Sequence, residues 1–209
     1  MKLASSSFAD GGAIPAEYAF CAIDAKTHAT LSKNRNPQLA WSEVPMGTKS
    51  LALVCHDPDV PGKGDDVNQE GRGVPSSLAR VDFFHWVLVD LPASMAGVMA
   101  GELSSSVVSR GKPGPQAPHG ARQGINDYTG WFASDKDMAG DYYGYDGPCP
   151  PWNDERPHRY VFTVFALDVA RLTLPERFGG HEVRKAVQGH VLAEVALTGR
   201  YTLNPAVKI

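Results

Sequence analysis

Three apolar runs stand out along the chain. Residues 50–56 (SLALVCH) are apolar at nearly every position and stop at Asp57-Pro58, a turn signal. Residues 81–91 (VDFFHWVLVDL) are apolar on both alternating faces, as expected of a strand inside a sheet. Residues 159–169 (RYVFTVFALDV) are dense in β-branched and aromatic side chains, which suit a pleated surface. A different period follows. Val183, Val187, Val191 and Val195 recur every four residues, with Ala186 and Leu192 beside them, which predicts an amphipathic helix over 182–197 in spite of Gly189. Gly179-Gly180 before it and Gly199 after it mark its limits. Residues 200–203 would add a last short strand.

The stretches between these runs lack a period. Residues 60–80 are polar, with Gly, Asp and Ser, and read as a long exposed loop. Residues 92–146 are longer still. They scatter Tyr128, Trp131, Phe132, Tyr142, Tyr143 and Tyr145 among glycines, so part of that connection should be packed down. With no internal repeat and no linker, residues 1–209 read as one domain. The 21 glycines and 16 prolines add many turns and point to a mainly β fold.

Charge and cysteine content narrow the function classes. A net charge of −3 lacks the basic footprint of nucleic-acid binding. No apolar run reaches transmembrane length. Residues 1–20 are broken by Asp10-Gly11-Gly12 and do not read as a signal peptide. Three irregularly spaced cysteines argue against a disulfide framework or a zinc site and suggest a cytoplasmic protein with reduced thiols. Cys149 then reads as a small packed residue and Cys55 as core.

Candidate chemistry lies at the ends of the strands. Asp57-Pro58-Asp59 follows the first run; alone it reads as a turn in which an Asp caps its own backbone. His85 sits amid FFHWV, where burial demands a partner for its ring, and the simplest is a backbone carbonyl. Residues 144–160 (GYDGPCPPWNDERPHRY) form a stiff Gly/Pro loop that leads into the third run. Strand parity puts His158 and Tyr160 on one face and turns Arg159 to the other. If these segments converge, histidines and free backbone N–H groups would hold an anion, with Gly147-Pro148 as the backbone wall. Asp57 would fix a histidine's tautomer, or accept from an ammonium group or a protonated phosphate.

In order, the segments Phe8-Ala-Asp-Gly-Gly-Ala-Ile-Pro15, Asn36-Pro37-Gln-Leu39-Ala-Trp41, Val44-Pro45-Met-Gly-Thr-Lys-Ser-Leu51, Asp57-Pro-Asp-Val-Pro61, His85-Trp86, Asn126-Asp127-Tyr128, Gly144-Tyr-Asp-Gly-Pro148 and His158-Arg-Tyr160 resemble the phosphatidylethanolamine-binding protein family, in its bacterial Raf-kinase-inhibitor-like branch. The resemblance spans nearly the whole chain. It implies an antiparallel β-sandwich with peripheral helices, one near the C-terminus, and a small anion pocket for phosphate or a phospholipid head group. By motif, Asp57, His85, Gly147, Pro148, His158 and Tyr160 would line that pocket. Bacterial relatives suggest a homodimer. Two departures are visible: residues 62–80 exceed the usual loop between the Asp and His elements, and Asn36 replaces the usual Ser before Pro37.

Two other function classes compete with a binding module that modulates a kinase or another partner. Asp/His clusters do general acid–base work or hold metals, so a hydrolase or metal-dependent phosphoesterase is an alternative. The chain lacks GxSxG, HExxH and GxxxxGK[ST], so no catalytic residue, metal or cofactor is assigned. A protease or kinase inhibitor acting through surface loops would carry no fixed motif.

Overall fold

The computed structural model describes residues 1–209. Ten strands are present: β1 (Lys2–Ala4), β2 (Cys21–Asp24), β3 (His28–Leu31), β4 (Leu39–Ser42), β5 (Ser50–Pro61), β6 (Arg80–Pro92), β7 (Gly97–Val98), β8 (Arg122–Gln123), β9 (His158–Leu167) and β10 (Val191–Tyr201). Two short helices, α1 (Tyr128–Trp131) and α2 (Gly180–Ala186), complete the regular structure together with two single 3-10 turns. The main sheet has the order β10-β9-β5-β6-β8, and every pair in it is antiparallel. The three apolar runs are thus its three inner strands. β1-β4-β7 form a second sheet, and β2-β3 a separate hairpin.

Alternation explains why the inner strands look apolar throughout. On β5, Leu51, Leu53 and Cys55 enter one hydrophobic cluster, while Ala52 and Val54 enter another on the opposite face. β6 divides in the same way, with Trp86 and Leu88 on the first side and Val87 and Val89 on the second. Leu39, Trp41 and Val98 of the small sheet join the first cluster. Val183 and Val187 cover the second.

The helix expected over 182–197 is corrected to a short helix followed by a strand. α2 ends at Ala186, and Gly189 turns the chain at φ +81°. Val191 and Val195 then lie in β10. A spacing of four residues fits one face of a helix, but four is also an even number, so it equally fits one face of a strand. β-branched valines favour the latter. The Asp57-Pro58 stop is also corrected. β5 runs on through it to Pro61, because the Asp57↔Phe83 and Val60↔Val81 pairs flank a bulge that absorbs the proline.

Candidate functional site

A second bulge aims the central histidine. Cys55 pairs with Trp86 but His56 pairs with Phe84, so His85 is the extra residue of β6. Bulges re-aim side chains, and here His85 joins the face that carries Trp86. Its ring lies edge-on to Tyr128 and Tyr160, with centroids 5.6 and 5.1 Å away. These residues border a cavity of about 440 Å³. Asp57, His85, His158 and Tyr160, all at most 3% exposed, form its buried polar part. Leu31 and Trp131, more than half exposed, stand at its rim.

His158 is held between two carboxylates. Its Nδ1 lies 2.6 Å from Asp57 Oδ2, and its Nε2 3.0 Å from Asp154 Oδ2. A carboxylate accepts, so both ring nitrogens donate and the ring is an imidazolium. Burial by itself would lower the pKa of His158. The charge of Asp57 and the hydrogen bonds from both carboxylates overcome that and raise it to about 9. Asp154 is also gripped by Arg80 through both guanidinium nitrogens. Burial pushes its carboxyl up, but His158 and Arg80 bring it below the usual range. The cluster therefore balances two carboxylates against two cations.

The two Asp residues of the DPD element diverge. Asp57 accepts from the Asp59 backbone N–H with Oδ1 (2.7 Å), as a turn Asp would, and serves His158 with Oδ2. Asp59 turns away to Arg159 and Arg156, at 2.8 and 2.9 Å. Arg159 thus lies off the cavity, as strand parity requires.

His85 has a different setting. Its Nδ1 donates to the Asp146 carbonyl at 2.8 Å, and the Asp146 N–H donates back to the His85 carbonyl at 3.0 Å. Burial drives its pKa down to about 4, against a smaller opposing effect from the charge of Asp57. The ring is therefore neutral near pH 7, with the proton on Nδ1 and the lone pair on Nε2. The Asp146 carboxylate is fully buried and accepts from Asn34, Asn126 and Lys112 at 2.6, 2.8 and 2.6 Å. Tyr160 completes the polar part. Its hydroxyl is buried and makes no hydrogen bond of normal length, but it lies beside the Asp57 carboxylate; burial, and with it the charge of Asp57, raises its pKa well above the usual value.

Gly147 and Pro148 are not brought to the cavity. The Gly147 N–H, expected to be free for an anion, donates to Asn34 Oδ1 at 2.8 Å. A Cβ at Gly147 would stand 2.2 Å from the Tyr18 carbonyl oxygen, so the glycine serves close packing of two backbone segments. Pro148 presents its carbonyl to the N–H groups of Phe20 and Cys21. Cys149, Pro150 and Pro151 form the wall instead.

That wall contains a Cys21–Cys149 disulfide. It corrects both the expectation of reduced thiols and the reading of Cys149 as mere packing. The two residues are 128 positions apart, and their spacing carries no sign of pairing. Cys55 is free and buried. The long loop after β5 also reaches the cavity, through Gly62, Lys63, Gly64, Val67 and Asn68. Asn153 pins it by donating to the carbonyls of Asp66 and Arg72 and accepting from the Asn68 N–H. Asn36, the other departure, is an organising side chain: its Oδ1 accepts from the N–H groups of Leu103 and Ser104.

An antiparallel frame with a cavity that is open and apolar at the rim and polar at depth is the form of a small-ligand binding protein. The chain belongs to the phosphatidylethanolamine-binding protein family, whose model matches residues 4–202. It is 32% identical to the UPF0098 protein YbhB of Escherichia coli, over 97% of this chain and all of that one. It is 33% identical to a UPF0098 protein of Methanothermobacter thermautotrophicus, over 96% and 98% of the two chains. The crystal structure of E. coli YbcL, described as a member of the mammalian PEBP family, superposes with a TM-score of 0.68 at 26% identity, covering 96% of this chain and 97% of that one. No helix is long and apolar enough to cross a membrane.

Proposed function

We propose that the protein binds a small phosphate-bearing head group that brings at least one proton of its own, seated against His85, Tyr160 and Asp57. The observation that carries this reading is the convergence of the Tyr160 hydroxyl, Asp57 and His85 at the buried end of one cavity, with Tyr160 1% exposed and its hydroxyl without a hydrogen bond of normal length. A buried polar group without a partner costs about 1–3 kcal/mol, which a ligand oxygen there would recover. Around it the cavity offers acceptors: the lone pair on His85 Nε2 and the carboxylate of Asp57. A fully ionised phosphate meets repulsion at both. A hydrogenphosphate ester, or a phosphate carrying an ammonium group, matches one donor and two acceptors. Lys63 is the one Lys or Arg in the lining and adds positive charge from its exposed side.

Binding rather than turnover is the proposed role. Both nitrogens of His158 are committed to carboxylates, which leaves that ring neither a lone pair nor an uncommitted proton for acid–base work. Titration with inorganic phosphate and with phosphoethanolamine, followed by NMR and calorimetry, tests the reading and separates free phosphate from head-group recognition. Binding should tighten from pH 8 to pH 5.5 and take up a proton, because the phosphate must be protonated to donate to His85 Nε2 or Asp57. His85→Ala, with the fold intact, should weaken binding about ten- to hundredfold, the range for hydrogen bonds to a charged group. Unchanged affinity in His85→Ala rejects the site.

A further inference from the structure

Cys21 and Cys149 both line the cavity, so the disulfide faces the space where a ligand would sit. Cys149 is partly exposed and Cys21 nearly buried, at 7%. Cys55 is packed inside the same hydrophobic cluster as Tyr128 and Tyr160 but does not line the cavity; it is 0% exposed, with its thiol pKa pushed well up by burial. We propose that the Cys21–Cys149 disulfide is a thiol-exchange site, reached through the cavity by small thiols while the protein stays folded.

The step balances as follows. The thiolate of a low-molecular-weight thiol attacks Cys149 Sγ, forming a mixed disulfide as the Cys21–Cys149 bond breaks. Cys21 leaves as a thiolate and takes a proton from water. A second thiol resolves the mixed disulfide, giving the free Cys149 thiol and the oxidised small thiol, so that two small thiols are oxidised while one protein disulfide is reduced. Access governs such exchange, and here access is supplied by the cavity.

Two consequences follow for the same cavity, and they rest on its reading as a ligand site. The adduct on Cys149 would occupy part of the ligand space, so adduct and ligand should exclude each other. Reduction would also free one of the ties between β2 and the proline wall, leaving the hydrogen bonds from Phe20 and Cys21 to the Pro148 carbonyl.

Cys55 provides an internal clock for unfolding. The native protein is incubated with glutathione at neutral pH and adducts are mapped by mass spectrometry, while a parallel sample without glutathione is labelled with a maleimide to time the exposure of Cys55. Adduct formation at Cys149 or Cys21 should run at least about tenfold ahead of Cys55 labelling, since local access needs no global opening. Equal rates at all three cysteines, or no adduct before Cys55 reacts, would overturn the proposal. A Cys21→Ser/Cys149→Ser double variant should form no adduct in the same interval. Inorganic phosphate tests the shared cavity separately. Slower exchange when phosphate saturates the protein supports mutual exclusion. Exchange that is fast and indifferent to bound phosphate keeps the thiol site but rejects its coupling to the ligand. An absence of phosphate binding in calorimetry rejects the ligand reading alone.

Discussion

His85 and His158 border one cavity, yet one is neutral and the other charged. Both are buried to within 3% of complete exclusion from solvent. His158 has two carboxylates on its ring, while His85 has a backbone carbonyl on one nitrogen and cavity on the other side. Burial lowers both pKa values; only the neighbouring charges differ, and they move one to about 9 and leave the other at about 4. The division assigns separate tasks. His158 ties β5, β9 and the loop at Asp154 together. His85 keeps a lone pair for the cavity.

The most severe way to break this contrast is to strip His158 of a partner. Asp57→Ala should destabilise the protein by about 3–5 kcal/mol in urea denaturation, the range for breaking a buried ion pair. Asp57→Asn keeps the shape and should cost less, while the His158 pKa falls from its raised value.

Proton linkage supplies the next test. The folded pKa of His158 lies above its unfolded value of about 6.5, so its contribution is fully present below pH 6.5 and is lost as the pH rises to about 9. His85 has the opposite sign. Its folded pKa lies below the unfolded value, so stability falls as the pH drops from 6.5 through about 4. Moving a histidine from about 6.5 to about 9, or to about 4, corresponds to roughly 3–4 kcal/mol at most. Stability from these two residues should therefore peak near pH 6.5. His85→Phe should flatten the part of the acid limb between about pH 4 and 6.5 and spare the alkaline one.

The smallest effects sharpen the site itself. Tyr145 donates its hydroxyl to the Tyr18 carbonyl at 2.6 Å, so Tyr145→Phe should cost about 1 kcal/mol. The Tyr160 hydroxyl makes no hydrogen bond of normal length and lies beside the Asp57 carboxylate, so Tyr160→Phe should change stability by less than about 1 kcal/mol. The same change should weaken phosphate binding about tenfold, the equivalent of one hydrogen bond. A destabilised Tyr160→Phe would show that the hydroxyl already has a structural role.

How much of this was legible in the sequence depends on the range of the interactions. The inner strands were visible because burial on both faces makes every position apolar. Parity correctly separated His158 and Tyr160 from Arg159 because it is a local rule. β10 was misread because a four-residue period is shared by helix and strand, and only its long pairing with β9 decides between them. The bulge at His85 depends on register and leaves no mark in FFHWV. Gly147 was assigned to the wall of the pocket, whereas its backbone packs against Tyr18, more than a hundred residues away. A separation of 128 residues hid the Cys21–Cys149 pair, and one of 61 hid the clamp of Asp146 on His85. Asp154, which fixes His158, sits in a loop where no period could have marked it.

The most direct test is long-range 1H–15N NMR of the imidazole rings across pH 3.5–10, with and without inorganic phosphate. Without phosphate, His158 should stay protonated until about pH 9, and His85 should stay neutral, with its proton on Nδ1, down to about pH 4. Phosphate should raise the His85 transition and leave His158 in place. Two histidines that titrate together near pH 6.5, or a His85 signal indifferent to phosphate, would contradict the assignment of His85 to the ligand and His158 to the frame.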